Sequence, residues 1–444
     1  MDNQSTKRIV SSLRSDRVSE LPSNIIDNIL ICLPIHEAVK TCILSKSWRF
    51  RWRYLPKLIF DDTFYQRLIR PSISKRDITK LFSIIYRVLL LHRGSILNFT
   101  YRVPLFSSPR GIHRLMFYLS EKDVHGIVFD FGESLYDSGY KIERLPSFLF
   151  SCVTLRSLTL SSCTVTVPLA FKGFPKLISL TFDSFYFYAK GEVETFISKC
   201  PLLERLSIKY CDNIDTLDID IPYLKFFQFS SSSCKAICFR KTSQHLSTVI
   251  FDEEFGGPYH SEPTKLFECL AVVKHFRLGY DFLHCLFNGR MPMKLSLGGL
   301  RVLELPEICF GRASNISYVL CLIVNSPNLK KLEIGSLGAG EDMDPIAPEL
   351  LKVKDLLDNA LKKLRVVKMN FAELRVKQAK HELDFIKFLL AESIVLEKMY
   401  IQPAKGTVCE EELKILKKVL RFHRSSKKAE IVALNPVDGE VSSE

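Results

Sequence analysis

The chain has 444 residues, of which 47% are hydrophobic and 25% are charged, with 19 glycines and 20 prolines. This composition excludes collagen-like, coiled-coil and mostly disordered proteins, and it predicts a folded chain. The length fits either several compact domains or one long repeat array in which each unit packs only on its neighbours. The formal net charge of +13 is compatible with nucleic acid, a membrane surface or an acidic protein as partner and does not choose among them.

The N-terminus, MDNQSTKRIVSSLRSDR, is polar and has no apolar core of signal-peptide length. We therefore expect the chain to be made and kept in the cytoplasm or the nucleus, with its 13 cysteines as buried thiols rather than disulfides. No CxxC pair occurs, so the cysteines do not indicate a zinc site. The longest apolar stretch, Leu81 to Leu91, is too short to cross a bilayer.

Residues 16–62 predict three short helices and no strand. Leu21-Pro22-Ser23 is a helix-start signal, and apolar residues follow at helical spacing until Pro34. A second helix should contain Ala38, and a third should begin near Ser45 and carry both tryptophans of the chain, Trp48 and Trp52, on one face. Helices this short bury too little surface to stand alone. Their apolar face needs either the first repeat or a partner protein as cover, and composition leaves both possibilities open.

Residues 63–95 predict a helical connector, and from residue 96 onward a six-residue phrase recurs with apolar side chains at its first, fourth and sixth positions. Its twelve copies begin at residues 96, 124, 155, 177, 203, 224, 246, 273, 300, 329, 364 and 396. In a repeat array, each phrase would form a short parallel strand whose fourth and sixth side chains stack inward, while the third and fifth face the open side. The spacing predicts a solenoid.

The C-terminal part, residues 361–434, combines the last two phrases with amphipathic helices, including one at Glu410–Phe422, and is expected to close the array. The stretch between the copies at 329 and 364 contains Gly338 to Pro345, which is predicted to be a flexible acidic insertion. Residues 1–15 and the acidic tail 435–444 are predicted to be disordered.

The N-terminal helices resemble an F-box, the motif that docks on the Skp-type adaptor of cullin-RING ubiquitin ligases. The resemblance rests on Leu21-Pro22, Ile25-Ile26, Ile29-Leu30, Leu33-Pro34, Ala38-Val39, Leu44-Ser45, Trp48-Arg49 and Trp52. In that family the helices with the Leu-Pro pair and the apolar run contact the adaptor. By this resemblance, adaptor binding is assigned to Leu21, Pro22, Ile25, Ile29, Leu30, Leu33, Pro34, Leu44 and Trp48.

The rest of the chain resembles the irregular leucine-rich repeats of plant-type proteins, followed by a segment similar to the FBD domain that often comes after F-box and repeats. Glu382, Phe385 and the run from Leu396 to Met399 carry the second resemblance, although Phe371-Ala372 stands where a glycine is common. The resemblance implies an α/β fold: a three-helix F-box (16–62), the connector (63–95), leucine-rich repeats (96–360) and an FBD cap (361–434).

A search for catalytic chemistry finds no GxSxG, HExxH, GxxxxGK[ST] or dinucleotide glycine motif. His275 and the pair His284-Cys285 form the nearest approach to a metal or nucleophile cluster, and a metal site needs three or more converging ligands. We predict no catalytic residue, no cofactor and no metal. The chain is expected to be a non-catalytic binding subunit.

Open-face positions of the later strands are rich in basic residues, and they predict a concave, partly positive surface for a target protein. The candidates are Arg205, His275, Arg277, Lys331, Lys368, Lys398 and Tyr400. The combined hypothesis is the substrate-recognition subunit of an SCF-type ubiquitin ligase, which binds a Skp-type adaptor and a target protein. Two alternatives stay open: a basic nucleic-acid-binding solenoid, and a small-molecule receptor of the F-box leucine-rich-repeat type.

Overall fold

The computed structural model describes residues 17–18, 20–66, 75–102, 109–132, 143–232, 234–240, 244–255, 263–287, 295–337, 361–371, 379–403 and 409–435. The chain divides into two compact units, Met1–Glu133 and Ser134–Glu444. The predicted disorder of residues 1–15 and of the tail beyond Asn435, and the predicted acidic insertion at 338–345, lie outside the described residues.

The first unit contains short helices followed by parallel strands. Its helices are α1 (Ser23–Ile31), α2 (Ile35–Lys40), α3 (Asp62–Gln66), α4 (Lys75–Leu91) and α5 (Pro109–Ser120), with 3₁₀ turns at Thr41–Ile43 and Arg51–Tyr54. Its strands are β1 (Lys57–Phe60), β2 (Asn98–Arg102) and β3 (Gly126–Asp130). Strand β2 lies between β1 and β3, and both pairings are parallel. Helix α1 follows Pro22 and ends before Pro34, as the proline spacing predicts.

The predicted third helix near Ser45 is wrong. Residues 46–50 form turns, and a 3₁₀ helix of four residues begins only at Arg51. Phe50 explains the difference because its φ of 66° is left-handed, a conformation that interrupts any right-handed helix. Trp48 and Trp52 therefore do not share a continuous helix, although both are buried.

The prediction that residues 16–62 contain no strand is also wrong, because β1 lies within this range. Leu55, Leu58 and Phe60 have the same one-four-six spacing as the twelve phrases, and all three are buried. In register with β2, Leu58 pairs with Phe99 and extends the parallel ladder by one strand. The repeat pattern thus begins inside the helical segment.

Polar contacts fix the N-terminal helices to the segment that follows them. The indole Nε1–H of Trp48 donates to the carbonyl oxygen of Val18 at 2.9 Å. The Arg51 guanidinium donates to the Asp27 carboxylate at 3.0 Å and to the Ser23 hydroxyl at 2.5 Å, so it bridges the 3₁₀ helix to the first turns of α1. Because an arginine fork has a fixed geometry, these bonds orient α1 as well as hold it.

Histidine 92 ties the end of α4 to the chain just before β1, and it gives the first unit a predicted dependence on pH. The buried His92 Nε2–H donates to the carbonyl oxygen of Leu55 at 2.9 Å, and burial lowers the pKa of this imidazole below its usual 6.5. The folded chain therefore keeps His92 neutral while the unfolded chain takes up a proton. We expect the free energy of unfolding to fall as the pH decreases from 6.5 toward the lowered pKa.

Urea unfolding followed by tryptophan fluorescence would measure this effect, because both tryptophans lie in the first unit. His92→Gln, which keeps a donor for Leu55 and does not titrate, should flatten the pH profile. His113→Gln, which changes an exposed histidine of the same unit, is the matched control and should leave the profile as it is. An unchanged profile in His92→Gln would contradict the assignment.

The second unit is a long parallel sheet with helices or irregular segments between its strands. Its helices are α6 (Glu192–Ile197), α7 (Pro263–Cys269), α8 (Tyr280–Phe287), α9 (Ala313–Val324), α10 (Lys380–Glu392) and α11 (Cys409–Leu420), with a 3₁₀ helix at Ser147–Ser151. Its strands are β4 (Glu143–Arg144), β5 (Ser157–Ser161), β6 (Cys163–Thr164), β7 (Ser179–Asp183), β8 (Arg205–Lys209), β9 (Thr216–Ile219), β10 (Phe226–Ser231), β11 (Ala236–Phe239), β12 (Thr248–Phe255), β13 (His275–Leu278), β14 (Val302–Ile308), β15 (Lys331–Ser336), β16 (Val366–Asn370), β17 (Lys398–Gln402) and β18 (Glu430–Ala433). The sheet order is β5-β7-β8-β10-β12-β13-β14-β15-β16-β17-β18, while β4-β6 and β9-β11 form separate pairs.

The predicted repeat phrases are confirmed as strands. Each of the twelve copies coincides with a strand, two of them in the first unit and the others in the second. Every first, fourth and sixth side chain of the copies is buried. Equivalent positions pair across neighbouring strands, as Leu303, Leu332, Val367 and Met399 do. The predicted α/β fold class, an N-terminal helical segment followed by leucine-rich repeats, is therefore confirmed.

The cysteines follow the prediction only in part. All twelve whose side chains are described are free thiols, and six of them are buried. Burial raises the pKa of the thiol to about 12 in Cys152, to about 11 in Cys200 and to about 12 in Cys234, which keeps them protonated and unreactive. Cys32 and Cys238 are exposed, against the prediction of buried thiols.

Candidate functional site

Helix α1 presents a row of apolar side chains to solvent. Leu21, Ile25, Ile29 and Leu33 follow one another at four-residue intervals, which places them on one side of the helix and its flanks. Ile25 is 39% and Ile29 is 37% exposed, and Leu21 and Leu33 are half-buried. We call these four residues the apolar stripe. Such a row has no cover within the described part of the chain, and rows of this kind mark interaction surfaces.

An adjacent side of α1, about 100° around the helix axis from the stripe, faces inward. Ile26 and Leu30 on this side are completely buried. Helix α1 therefore has two apolar sides, of which only one is packed within the chain. A helix that is apolar on two sides either lies inside a core or is covered by a partner.

A second exposed apolar position follows α2. Ile43, the last residue of the 3₁₀ turn, is 87% exposed, and Leu44 beside it is 48% exposed. Leu44 was predicted as a contact residue, and Ile43 was missed.

The open face of the second unit contains a network of paired charges. The Nε2–H of His275 donates to the Glu304 carboxylate at 2.8 Å, and the Arg277 guanidinium lies 3.7 Å from the carboxylates of both Glu304 and Asp252. The hydrogen bond from His275 holds the pKa of the Glu304 carboxyl below its usual value, and the charge of Arg277 adds to this effect. Lys331 pairs with Glu333 on its own strand.

This network reduces the positive charge expected of the open face, while the role of the face in target binding stays a prediction. His275, Arg277 and Lys331, three of the predicted basic residues, each have an acidic partner beside them. The network reaches β8 through Asp252, which accepts from Gln228 at 2.7 Å, and Gln228 accepts in turn from Ser207 at 3.0 Å. The centre of the face is therefore a neutralised polar surface.

The other predicted residues of the open face lie apart from this centre. Arg205 is exposed and its guanidinium lies 4.2 Å from the ring centroid of Phe226 on the neighbouring strand. Lys368 and Tyr400 are half-buried and pair in register across β16 and β17. Lys398 is exposed. The register thus brings Lys368, Lys398 and Tyr400 together and leaves Arg205 at a distance along the sheet.

Comparison with known proteins places this geometry in a family. Residues 18–60 match the F-box domain, and residues 113–334 match the leucine-rich repeats of the FBD-associated F-box protein At5g56370. The F-box/FBD/LRR-repeat protein At1g13570 of Arabidopsis thaliana is 30% identical over 443 residues, which cover 94% of this chain and 98% of that protein. The chain belongs to the F-box/FBD/LRR-repeat family.

Other Arabidopsis thaliana proteins are more distant relatives. The probable FBD-associated F-box protein At1g32375 is 24% identical over 92% of this chain and 98% of its own length. The FBD-associated F-box protein At4g10400 is 25% identical over 72% of this chain and 78% of its own length. The family match confirms the resemblance that the sequence motifs indicate, while the individual domain boundaries stay predictions.

Within the F-box match, the residues predicted to bind an adaptor differ in their exposure to solvent. Ile25, Ile29, Pro22 and Leu44 are exposed, and Leu21, Leu33 and Pro34 are half-buried. Leu30 and Trp48 are buried in the packing of the chain itself, and the Trp48 indole is already bonded to Val18. These two side chains therefore have packing positions within the chain itself, and their assignment to adaptor binding stays a prediction.

His275 and His284, which the sequence places near each other without indicating a site, make separate contacts. His275 on β13 bonds to Glu304, whereas His284 on α8 lies beside the ring of Tyr280, with a centroid distance of 6.1 Å. Across the described residues, no three His, Cys, Asp or Glu side chains are grouped so that they could hold a metal ion. None of the helices in the described part of the chain is long and apolar enough to cross a membrane.

Proposed function

We propose that this F-box protein is the substrate-recognition subunit of an SCF-type ubiquitin ligase. The apolar stripe docks a Skp-type adaptor, and the repeats of the second unit hold a target protein. The chain itself forms no covalent bond in this role. Its contribution is to raise the concentration of the target near the charged ubiquitin-conjugating enzyme, because a tethered encounter replaces a free one. This role places the protein in the cytoplasm or the nucleus.

The observation that carries the proposal is the exposure of the apolar stripe within the segment that matches an F-box. Ile25 and Ile29 are anchored side chains on a helix whose other side is packed, so covering them costs little further ordering of the backbone. Burying an aliphatic side chain contributes about 1.5–3 kcal/mol when it goes from full exposure to full burial. The stripe and the exposed Ile43 and Leu44 therefore supply the central apolar contacts that a stable interface needs.

Cys32 offers a direct probe of this docking surface. It is an exposed thiol at the C-terminal end of α1, between the stripe residues Ile29 and Leu33. In a mixture with a purified Skp-type adaptor, the complex should co-elute, and alkylation of Cys32 by iodoacetamide should slow about tenfold because the adaptor covers the thiol. Peptide mass spectrometry after a timed pulse of reagent measures the rate at each cysteine.

The chain provides its own controls for this experiment. Cys238, an exposed thiol of the second unit, should react at the same rate with and without the adaptor. The buried Cys152, Cys200 and Cys234 should stay unmodified until the chain is unfolded, because their raised pKa values suppress the thiolate. A complex in which Cys32 reacts at the free rate would refute the stripe as docking surface, and absence of any complex would refute the adaptor role.

A further inference from the structure

An open basic groove lies along the N-terminal ends of strands β13 to β18 in the second unit. Its volume is about 1080 Å³, and its lining contains eight lysines and arginines but one carboxylate, Glu397. Six of the basic residues immediately precede or lead into a strand: Lys274, Arg301, Lys330, Arg365, Lys427 and Lys428. All six are exposed.

The backbone holds four of these charges in a line. The carbonyl oxygen of Lys274 accepts hydrogen bonds from the N–H groups of Arg301 and Val302. In the same way, the carbonyl oxygen of Arg301 accepts from the N–H groups of Lys330 and Lys331. Lys330 and Arg365 continue the same pattern. One basic side chain per strand is therefore fixed at the spacing of adjacent strands, about 4.8 Å. Like charges on neighbouring strands repel each other, and a bound anion would remove that cost.

Acidic neighbours neutralise this line only at its ends. Before it, Lys225 pairs with Glu204 at 2.8 Å, and at its far end Arg365 pairs with Glu397 at 3.3 Å. Between them, Lys274, Arg301 and Lys330 have no ion-pair partner among the described residues. These three positive charges therefore lie side by side at the N-terminal ends of the strands, whereas the basic residues at the centre of the open face have acidic partners.

We propose that this groove binds an extended acidic polypeptide segment. The groove reaches across six strands, a span of about 24 Å, which an extended peptide covers with about seven residues. Val272, Ile394 and Val395 give the groove an aliphatic wall, and the described residues that line it include no aromatic side chain. Sites for single-stranded nucleic acid stack bases on aromatic rings. An aliphatic wall beside a row of cations instead matches a peptide in which carboxylates and apolar side chains alternate.

The identification of this peptide with part of a ligase target rests on the proposed function. If the second unit holds a target, the groove selects one that has an acidic extended segment. The electrostatic attraction would mainly accelerate encounter and exclude basic competitors, and the aliphatic wall would supply the contact that depends on shape. The groove and the apolar stripe belong to different units of the chain, so separate substitutions test them.

Fluorescence anisotropy with the full-length chain tests the groove. The probe is a labelled peptide of about 12 residues that alternates glutamate and valine, long enough for the span above. We expect it to bind wild type and to bind Arg301→Glu/Lys330→Glu at least about tenfold more weakly. The charge-neutral Arg301→Gln/Lys330→Gln should show an intermediate loss. A peptide with glutamine in place of glutamate should bind wild type at least about tenfold more weakly.

Lys172→Glu/Lys176→Glu makes the same change of charge at two exposed lysines of the same unit, outside the groove, and should leave binding as in wild type. If this control lost as much affinity for the peptide as the groove variant, the proposal would be overturned. Absence of peptide binding by the wild-type chain would also overturn it. A single-stranded oligouridylate that binds more tightly than the peptide and depends on Arg301 and Lys330 would reassign the groove to nucleic acid. The groove variant should bind the adaptor normally. If the wild-type chain did not bind the adaptor, that result would count against the proposed function alone.

Discussion

Replacing Ile25 and Ile29 by glutamate is expected to weaken binding of a Skp-type adaptor by about a hundredfold, or about 3 kcal/mol. Both side chains are partly exposed in the free chain, so the new carboxylates stay in water and the fold should be retained. In the complex the same carboxylates would be buried against an apolar surface, which costs free energy unless they find partners. Isothermal titration calorimetry with purified adaptor measures the dissociation constant.

The matched control replaces two exposed apolar residues of the second unit, in Leu169→Glu/Ile178→Glu. Ile178 has the same exposure as Ile29, 37%, and Leu169 is fully exposed. This variant adds the same two charges and should bind the adaptor as wild type does. Equal affinity of the stripe variant and wild type would refute the docking surface. A stripe variant with a lowered thermal midpoint would show instead that Ile25 and Ile29 belong to the packing of the free chain.

The repeats could be predicted from sequence because one local rule repeats along the chain. A strand entering a parallel ladder buries its first, fourth and sixth side chains, and this spacing survives changes of side chain from leucine to phenylalanine or methionine. Strand β18 was not predicted because Lys428 stands at the first position of its phrase, where the pattern requires an apolar residue. Strand β1 was not predicted because Leu55, Leu58 and Phe60 lie inside the segment predicted to be helical.

The candidate sites were harder to predict because they depend on pairing between distant residues. Arg277 looks free in the sequence, and only the register of β12, β13 and β14 shows that Asp252 and Glu304 flank it. Lys274, Arg301 and Lys330 occupy the second position of three phrases, yet their alignment along the N-terminal ends of the strands follows from the carbonyl ladder. Similarly, the left-handed Phe50 is incompatible with the continuous helix that the tryptophan spacing favours.

Truncating one core phenylalanine of the second unit, in Phe182→Ala, is expected to lower the free energy of unfolding by about 3–5 kcal/mol. Phe182 is fully buried on β7, and its ring centroid lies 4.8 Å from that of Phe185, 5.2 Å from Phe187 and 5.4 Å from Phe196. The alanine would leave a cavity that three rings border, two in the segment after β7 and one on α6, and packed rings cannot all move in to fill it.

Urea unfolding followed by far-ultraviolet circular dichroism is the measurement of choice, because tryptophan fluorescence reports only the first unit, which contains both tryptophans. Tyr188→Ala removes a nearby exposed ring and should cost about 1 kcal/mol or less. Each repeat packs on its neighbours, so the cavity should also reduce the cooperativity of the second unit's transition rather than only shift its midpoint. Equal stabilities of Phe182→Ala and Tyr188→Ala would mean that the aromatic cluster is not part of the unit's cooperative core.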